Sequence, residues 1–294
     1  MLVIGVDGLI GRALAQALAA RGDTVVGTSR RPSPGGAGAP ITLDLAASGA
    51  ARTPLPPVDA AVICAAMARF ADCREQPELA RRVNVEAPVA LAARLATSGA
   101  RVVLLSTSAV FDCRTPHVTA EQPPSPRSAY GALKAEAEAK ILALGARACV
   151  LRLTKVLTPD MPLFVNWIAG LRRGRAIEAF DDLTISPLRT QDVVAALLAV
   201  LSDRGGGIYQ VSGAEDISYA DAARHLARRL GVAPDLVGTT RAVDRGIPES
   251  EVTRYTSLDA SRLAALTGWT PPPAEAVIDA VFGYLLGVPG CDAR

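Results

Sequence analysis

The chain has 294 residues, half of them hydrophobic, with 31 Lys+Arg against 29 Asp+Glu and a formal charge of +2. That is enough apolar material for one large α/β domain or two smaller ones sharing a seam, and it excludes a disordered chain. The charges are mixed along the sequence with no basic tail, so nucleic acid is not an expected partner. Leu2–Val6 reads as a strand that begins at once, without a basic region or an apolar core ahead of a cleavage site, and no secretory leader is expected. No window reaches about 18 apolar residues free of Arg, Asp, Gly or Pro, so no membrane span is expected.

Further short runs that are apolar on both faces follow at Thr24–Thr28, Ala60–Ala65 and Arg101–Ser106, with weaker ones at Ile41–Leu43 and Ala148–Leu153. Between them lie Ala/Leu-rich stretches: Arg12–Arg21, stopped by Gly22, Pro77–Ser98, and Ser128–Leu144. Strand, crossover helix and parallel strand in alternation predict a doubly wound α/β sheet of at least six strands. Pro32–Pro40 reads as a loop, and Pro88 predicts a kink or restart in its helix. After Leu157 the elements shorten and proline returns, which places a boundary there: residues 1–157 as a dinucleotide-binding domain and 158–294 as a smaller substrate-binding part. Segments near 186–201 are expected to return to the first domain. Ser218 opens a capped helix over Asp221–Leu230, closed by Gly231.

The first strand runs into Gly5-Val-Asp-Gly8-Leu9-Ile10-Gly11 and directly into a helix. Glycines at such a turn let a pyrophosphate approach the free N–H groups of the helix start, although three glycines can also simply close a tight turn. At the end of the second strand, where an acidic residue would take the 2′-hydroxyl of NAD, stand Ser29, Arg30 and Arg31. Arginine there suits the 2′-phosphate of NADP, so NADP(H) is the preferred cofactor and NAD(H) a possible one; solvated loop charges are the alternative.

Tyr130 and Lys134 are four apart in a helix and share a face. A nearby ammonium would lower the phenol pKa and suit Tyr130 to proton exchange in an alcohol–ketone conversion. Ser106-Thr107-Ser108 ends a strand at the edge of the sheet where ligands bind in open α/β folds. Lys134, Lys140 and Lys155 are the only lysines. Five cysteines (Cys64, Cys73, Cys113, Cys149 and Cys291) lack CxxC spacing and the histidines are two, so a reduced cytoplasmic setting is expected and no metal site.

Over nearly its whole length the chain resembles the extended short-chain dehydrogenase/reductase superfamily. The similarity rests on GVDGLIGRALAQALAARG, VICAA at 62–66, VNVEAP at 83–88, LLSTSAVFD at 104–112, SAYGALKAEAE and LRLTKVL, in that order. FDDLTISPLRTQDVVAALLAVL and the Ser218 helix are most similar to dTDP-4-dehydrorhamnose reductases and their sugar-nucleotide-binding relatives.

The resemblance implies an NADPH-dependent reductase of a keto sugar nucleotide. Thr107 would orient the ketone oxygen, Tyr130 would be its general acid, and Lys134 would hold the nicotinamide ribose. It further implies Asp44 and Leu45 at the adenine, Ala65, Ala66 and Met67 along the cofactor, and Asn84 and Thr154 close to it. Ser108, Arg189 and Arg254 are weaker substrate candidates, and a homodimer through the two long helices is expected. The chain departs from the reductase pattern: Ser108 and Ala109 replace an acidic residue and an aromatic, and Cys113 replaces a glycine. Ser108-Ala109 approaches the pattern of NAD-dependent sugar-nucleotide 4-epimerases, which stay as an alternative, with Cys113 and His117 as a conceivable acid/base pair. A non-catalytic nucleotide-binding regulatory relative is the other alternative.

Overall fold

A computed structural model describes residues 1–32, 36, 38–203 and 205–287; parts of Pro32–Pro40 and all of Cys291 lie outside them. In chain order the strands are β1 (Leu2–Ile4), β2 (Val26–Ser29), β3 (Ile41–Thr42), β4 (Ala60–Ile63), β5 (Arg101–Thr107), β6 (Ala148–Leu153), β7 (Lys155–Leu157), β8 (Ile177–Phe180), β9 (Thr184–Ile185), β10 (Pro187–Arg189), β11 (Gly207–Val211), β12 (Ile217–Ser218) and β13 (Val237–Thr240). Seven of them form one sheet in the order β11-β6-β5-β4-β1-β2-β3, with every pair parallel. The chain reverses direction across the sheet between β1 and β4, which opens a crevice at their C-terminal ends.

The helices are α1 (Leu9–Ala20), α2 (Phe70–Glu75), α3 (Pro77–Arg81), α4 (Ala87–Thr97), α5 (Ala129–Leu142), α6 (Pro162–Arg172), α7 (Thr190–Ser202), α8 (Tyr219–Leu230), α9 (Ser261–Thr267) and α10 (Ala274–Leu286). Alternation within the strands sorts side chains to two cores. Leu2, Ile4, Val102 and Leu104 pack with Leu91 of α4 and Ile141 of α5, whereas Val3, Val103 and Leu105 pack with Leu14 of α1 and Leu197 of α7. Burial on both faces is why these strands read as continuous apolar runs.

Several predicted boundaries move for local reasons. β1 stops at Ile4, two residues early, because Gly5 turns to φ +95° and the Gly5 and Val6 N–H groups both donate to the Thr28 carbonyl. α1 starts at Leu9, not Arg12, so the glycine turn is shorter than expected. β2 is displaced to Val26–Ser29, since the Met1 ammonium donates to Thr24 O and the Val26 N–H to Met1 O. Pro88 has no N–H for the Asn84 carbonyl, and the predicted helix Pro77–Ser98 accommodates this through a wider π turn at Arg82–Glu86.

The second half builds a third core, in which Phe164 of α6 stacks on Phe282 of α10 at 4.8 Å and Ala223 and Leu226 of α8 complete the contact. Its strands pair as β7 with β10, β8 with β13, and β9 with β12. Within it, α7 packs against α1 and β11 joins β6 in the central sheet, so the chain crosses back after residue 157 farther than the segment 186–201. Among the described residues, no helix is long and apolar enough to cross a membrane.

Candidate active site

The crevice holds a cavity of about 460 Å³, within the usual range of ligand sites. It is lined at the β1–α1 turn by Gly5, Asp7 and Gly8, at the end of β2 by Ser29, Arg30 and Arg31, after β3 by Asp44, Leu45 and Ala46, and after β4 by Cys64, Ala65 and Met67. The three glycines are there for different reasons. A methyl group on Gly11 would stand 2.2 Å from the Gly5 carbonyl oxygen, and one on Gly5, already at φ +95°, 2.8 Å from the Ala65 side chain. Packing alone therefore demands glycine at both. At Gly8 the nearest atom would be at an ordinary 3.5 Å, so the protein itself leaves room for a side chain.

Gly8 is also the N-cap of α1 and offers no side-chain cap to the helix start. A bare helix N-terminus lining a cavity is where a pyrophosphate would sit. Thr154 lies just beyond β6, and its buried Oγ1 has no hydrogen-bond partner among the described residues.

Asn84 lies behind the lining. Its Oδ1 accepts from Met67 N–H and its Nδ2 donates to Met67 O, both at 2.9 Å, so its amide fixes the loop after β4. Of the remaining residues expected at the cofactor, Leu9 and Ile10 form the first turn of α1, and Ala66 follows the lining residue Ala65.

Thr107 ends β5, and its Oγ1 accepts from Ala109 N–H at 3.1 Å to start a 3-10 turn, Ser108–Val110. Tyr130 stands in the first turn of α5, whose N-cap Ser128 accepts from Gly131 N–H. These elements touch at Gly131: a methyl group there would lie 2.0 Å from the Ala109 carbonyl oxygen. Tyr130 is thereby brought to the turn that follows Thr107, and Phe70 covers its ring at 5.6 Å. One turn on, Lys134 Nζ donates to the Leu105 carbonyl at 2.6 Å. Gly131 was missed from sequence; a glycine directly after the tyrosine, inside an alanine-rich helix, was the available signal.

Electrostatics corrects one expectation. Burial, with a smaller contribution from Cys73, pushes the Tyr130 phenol above its ordinary range. The ammonium expected to lower it is spent on Leu105 and is itself held down, at about 8, by burial. Cys64, which lines the cavity, is pushed up to about 12 by burial against the opposing pull of Lys134. Burial thus favours the neutral phenol of Tyr130.

Of the weaker candidates, only Ser108 belongs to the turn beside Tyr130. Arg189 is committed to Asp192 by bonds of 2.8 and 2.7 Å at the start of α7. Arg254 is half exposed beside Glu249 at 3.7 Å, and Ser108 is buried in the 3-10 turn. Cys113 is buried, its thiol pushed up to about 12 by burial, whereas His117 is exposed and its main-chain N–H donates to Ser257 Oγ. Cys113 adopts φ +57°, a left-handed conformation that accounts for a glycine in the family pattern.

Comparison with known proteins agrees with this architecture. The family described as RmlD substrate binding domain matches residues 1–284. The dTDP-4-dehydrorhamnose reductase of Mycolicibacterium smegmatis is 31% identical over 291 residues, 96% of this chain and 84% of that one. The probable low-salt glycan biosynthesis reductase of Haloferax volcanii is 27% identical over 95% of this chain and 97% of its own. The crystal structure of a dTDP-4-dehydrorhamnose reductase from Clostridium acetobutylicum superposes with a TM-score of 0.79 at 23% identity, covering 97% of this chain and 98% of that one. On its seven-stranded parallel sheet, the chain belongs to the family described as RmlD substrate binding domain.

Proposed function

We propose that the protein is an oxidoreductase that reduces the keto group of a sugar nucleotide, of the dTDP-4-dehydrorhamnose type, with NADPH as preferred cofactor. The observation that carries this reading is the contact of Gly131 with Ala109, which joins the Tyr130 helix to the Thr107 turn; Met67, which lines the cavity, packs on the same cluster as Ala109 and Tyr130. The relatives named as reductases across nearly the full chain support the same chemistry.

Gly8 and the first turn of α1 would hold the pyrophosphate, and Arg30 and Arg31 the adenosine 2′-phosphate. Lys134 would bind the nicotinamide ribose, and the bound nicotinamide supplies the hydride. Thr107 keeps its hydroxyl hydrogen available while its oxygen caps the 3-10 turn, so it can donate to the substrate ketone. Tyr130, kept protonated by burial, would give its proton to that oxygen as negative charge develops. Residues 158–294 would supply most sugar and base contacts. An assay of NADPH oxidation with dTDP-4-dehydrorhamnose tests the reading, and stoichiometric formation of the reduced sugar nucleotide is expected. Cofactor retained through purification, with no net oxidation, would favour epimerisation.

A further inference from the structure

The end of β2 bears no acidic residue in sequence, yet a carboxylate is present there in space. Asp7, between the first two glycines of the turn, lines the same cavity as Ser29, Arg30 and Arg31. Its Oδ2 accepts the Ser29 hydroxyl proton at 2.5 Å, while the Ser29 oxygen accepts from Arg31 N–H at 2.9 Å. Ser29 is 3% exposed, so its single O–H is committed to Asp7. Asp7 Oδ1 takes no hydrogen bond from the described residues.

We propose that Asp7 is a cofactor-selecting residue, which offers a carboxylate to the adenosine ribose hydroxyls and thereby opposes the preference of Arg30 and Arg31 for a 2′-phosphate. The inference rests on the nicotinamide-dinucleotide reading of the cavity. A ribose 2′-hydroxyl can donate to a carboxylate, whereas a 2′-phosphate has no proton to give and meets a like charge at short range. Ser29 cannot relieve that conflict without breaking its bond to Asp7. The two arginines attract the phosphate, and the balance leaves NADH usable.

The test is the dissociation constant of NADPH and of NADH, measured by calorimetry, for the wild-type protein, Asp7→Asn and Asp7→Ser. Asparagine retains the volume and an acceptor oxygen for Ser29 but removes the charge. The ratio of NADPH to NADH affinity is expected to rise by about tenfold or more in both variants, through tighter NADPH and weaker NADH, with thermal stability close to wild type. An unchanged ratio, with both cofactors still bound, overturns the role of Asp7 and leaves the dinucleotide reading standing. Failure of the wild-type protein to bind either cofactor removes that reading and this inference together.

Discussion

Lys134 Nζ donates to the carbonyl oxygen of Leu105, two residues before Thr107 and on the same strand. One bond thus ties the Tyr130 helix to the strand that presents the hydroxyl, and it orients a buried ammonium by a main-chain group whose position the sheet determines. The geometry of the site depends on this bond and on the Gly131 contact.

Removing the phenol hydroxyl tests the assigned acid. Tyr130→Phe should retain cofactor affinity and lose turnover by at least about 10², the usual effect of a missing general acid. Comparing kcat with the cofactor dissociation constant separates the two; near-normal turnover would exclude Tyr130 from the role.

Lys134 makes activity and stability respond to pH in opposite ways. Its ammonium is held at about 8 against an ordinary 10.5, so kcat/KM for reduction should fall as pH rises through about 8. Between those values the unfolded chain carries the proton and the folded chain does not, so this group's contribution to stability rises with pH across that window. Below about 8 the folded protein bears the full cost of the buried charge. Lys134→Met should therefore be inactive yet gain on the order of 1–3 kcal/mol relative to wild type near neutral pH. Urea midpoints should show that difference shrinking toward pH 10.5.

The glycines of the turn should separate by function. Gly8→Ala meets only an ordinary contact, so its stability should stay within about 0.5 kcal/mol while dinucleotide binding weakens. Gly11→Ala would drive a methyl group into the Gly5 carbonyl and should cost about 1–3 kcal/mol or more. Thermal melts and cofactor titration of both variants check the distinction.

Gly131→Ala forces α5 away from the Ala109 carbonyl and displaces Tyr130 with it. A misplacement of about 1 Å should cost about 10² in kcat. If kcat remains intact, the contact does not position the tyrosine.

Glu138 lies two turns along α5 from Tyr130 and forms a buried pair with Arg152 at 2.7 Å, both about 2% exposed or less. Phe111 lies under the guanidinium, and Gln210 accepts a further hydrogen bond from it. Glu138→Ala should destabilise the fold by about 3–5 kcal/mol, since it leaves an uncompensated buried cation, and denaturant titration should show it. Replacing both partners with apolar residues of similar size should cost less.

The middle of the central sheet could be read from sequence because β1, β4, β5 and β6 are buried on both faces, leaving unbroken apolar runs, whereas the edge strand β11, with its half-exposed start, was not read. The helix starts could not be read to the residue, because Gly5 chooses its turn according to the Thr28 carbonyl, which a linear reading does not connect to it. The π turn at Arg82–Glu86 was half visible, in Pro88 but not in the way the helix absorbs it. At the site, spacing pointed to Tyr130 and Lys134 correctly as residues of one helix face, but their mutual electrostatics was misjudged. The direction of the lysine was set by the Leu105 carbonyl, and burial outweighed the expected effect of its charge. Asp7 and Gly131 were passed over because their importance lies in what the fold places opposite them.

The most direct test of the account is an NADPH oxidation assay with dTDP-4-dehydrorhamnose, in which wild type and Tyr130→Phe are run side by side after any copurified nucleotide has been identified by mass spectrometry. The account predicts that the wild-type protein consumes one NADPH for each keto sugar nucleotide reduced, and that the variant binds NADPH but turns over at least about 10² more slowly. Tight NADPH binding with no oxidation by the wild-type protein across keto sugar nucleotides, or equal rates for the two proteins, would contradict it.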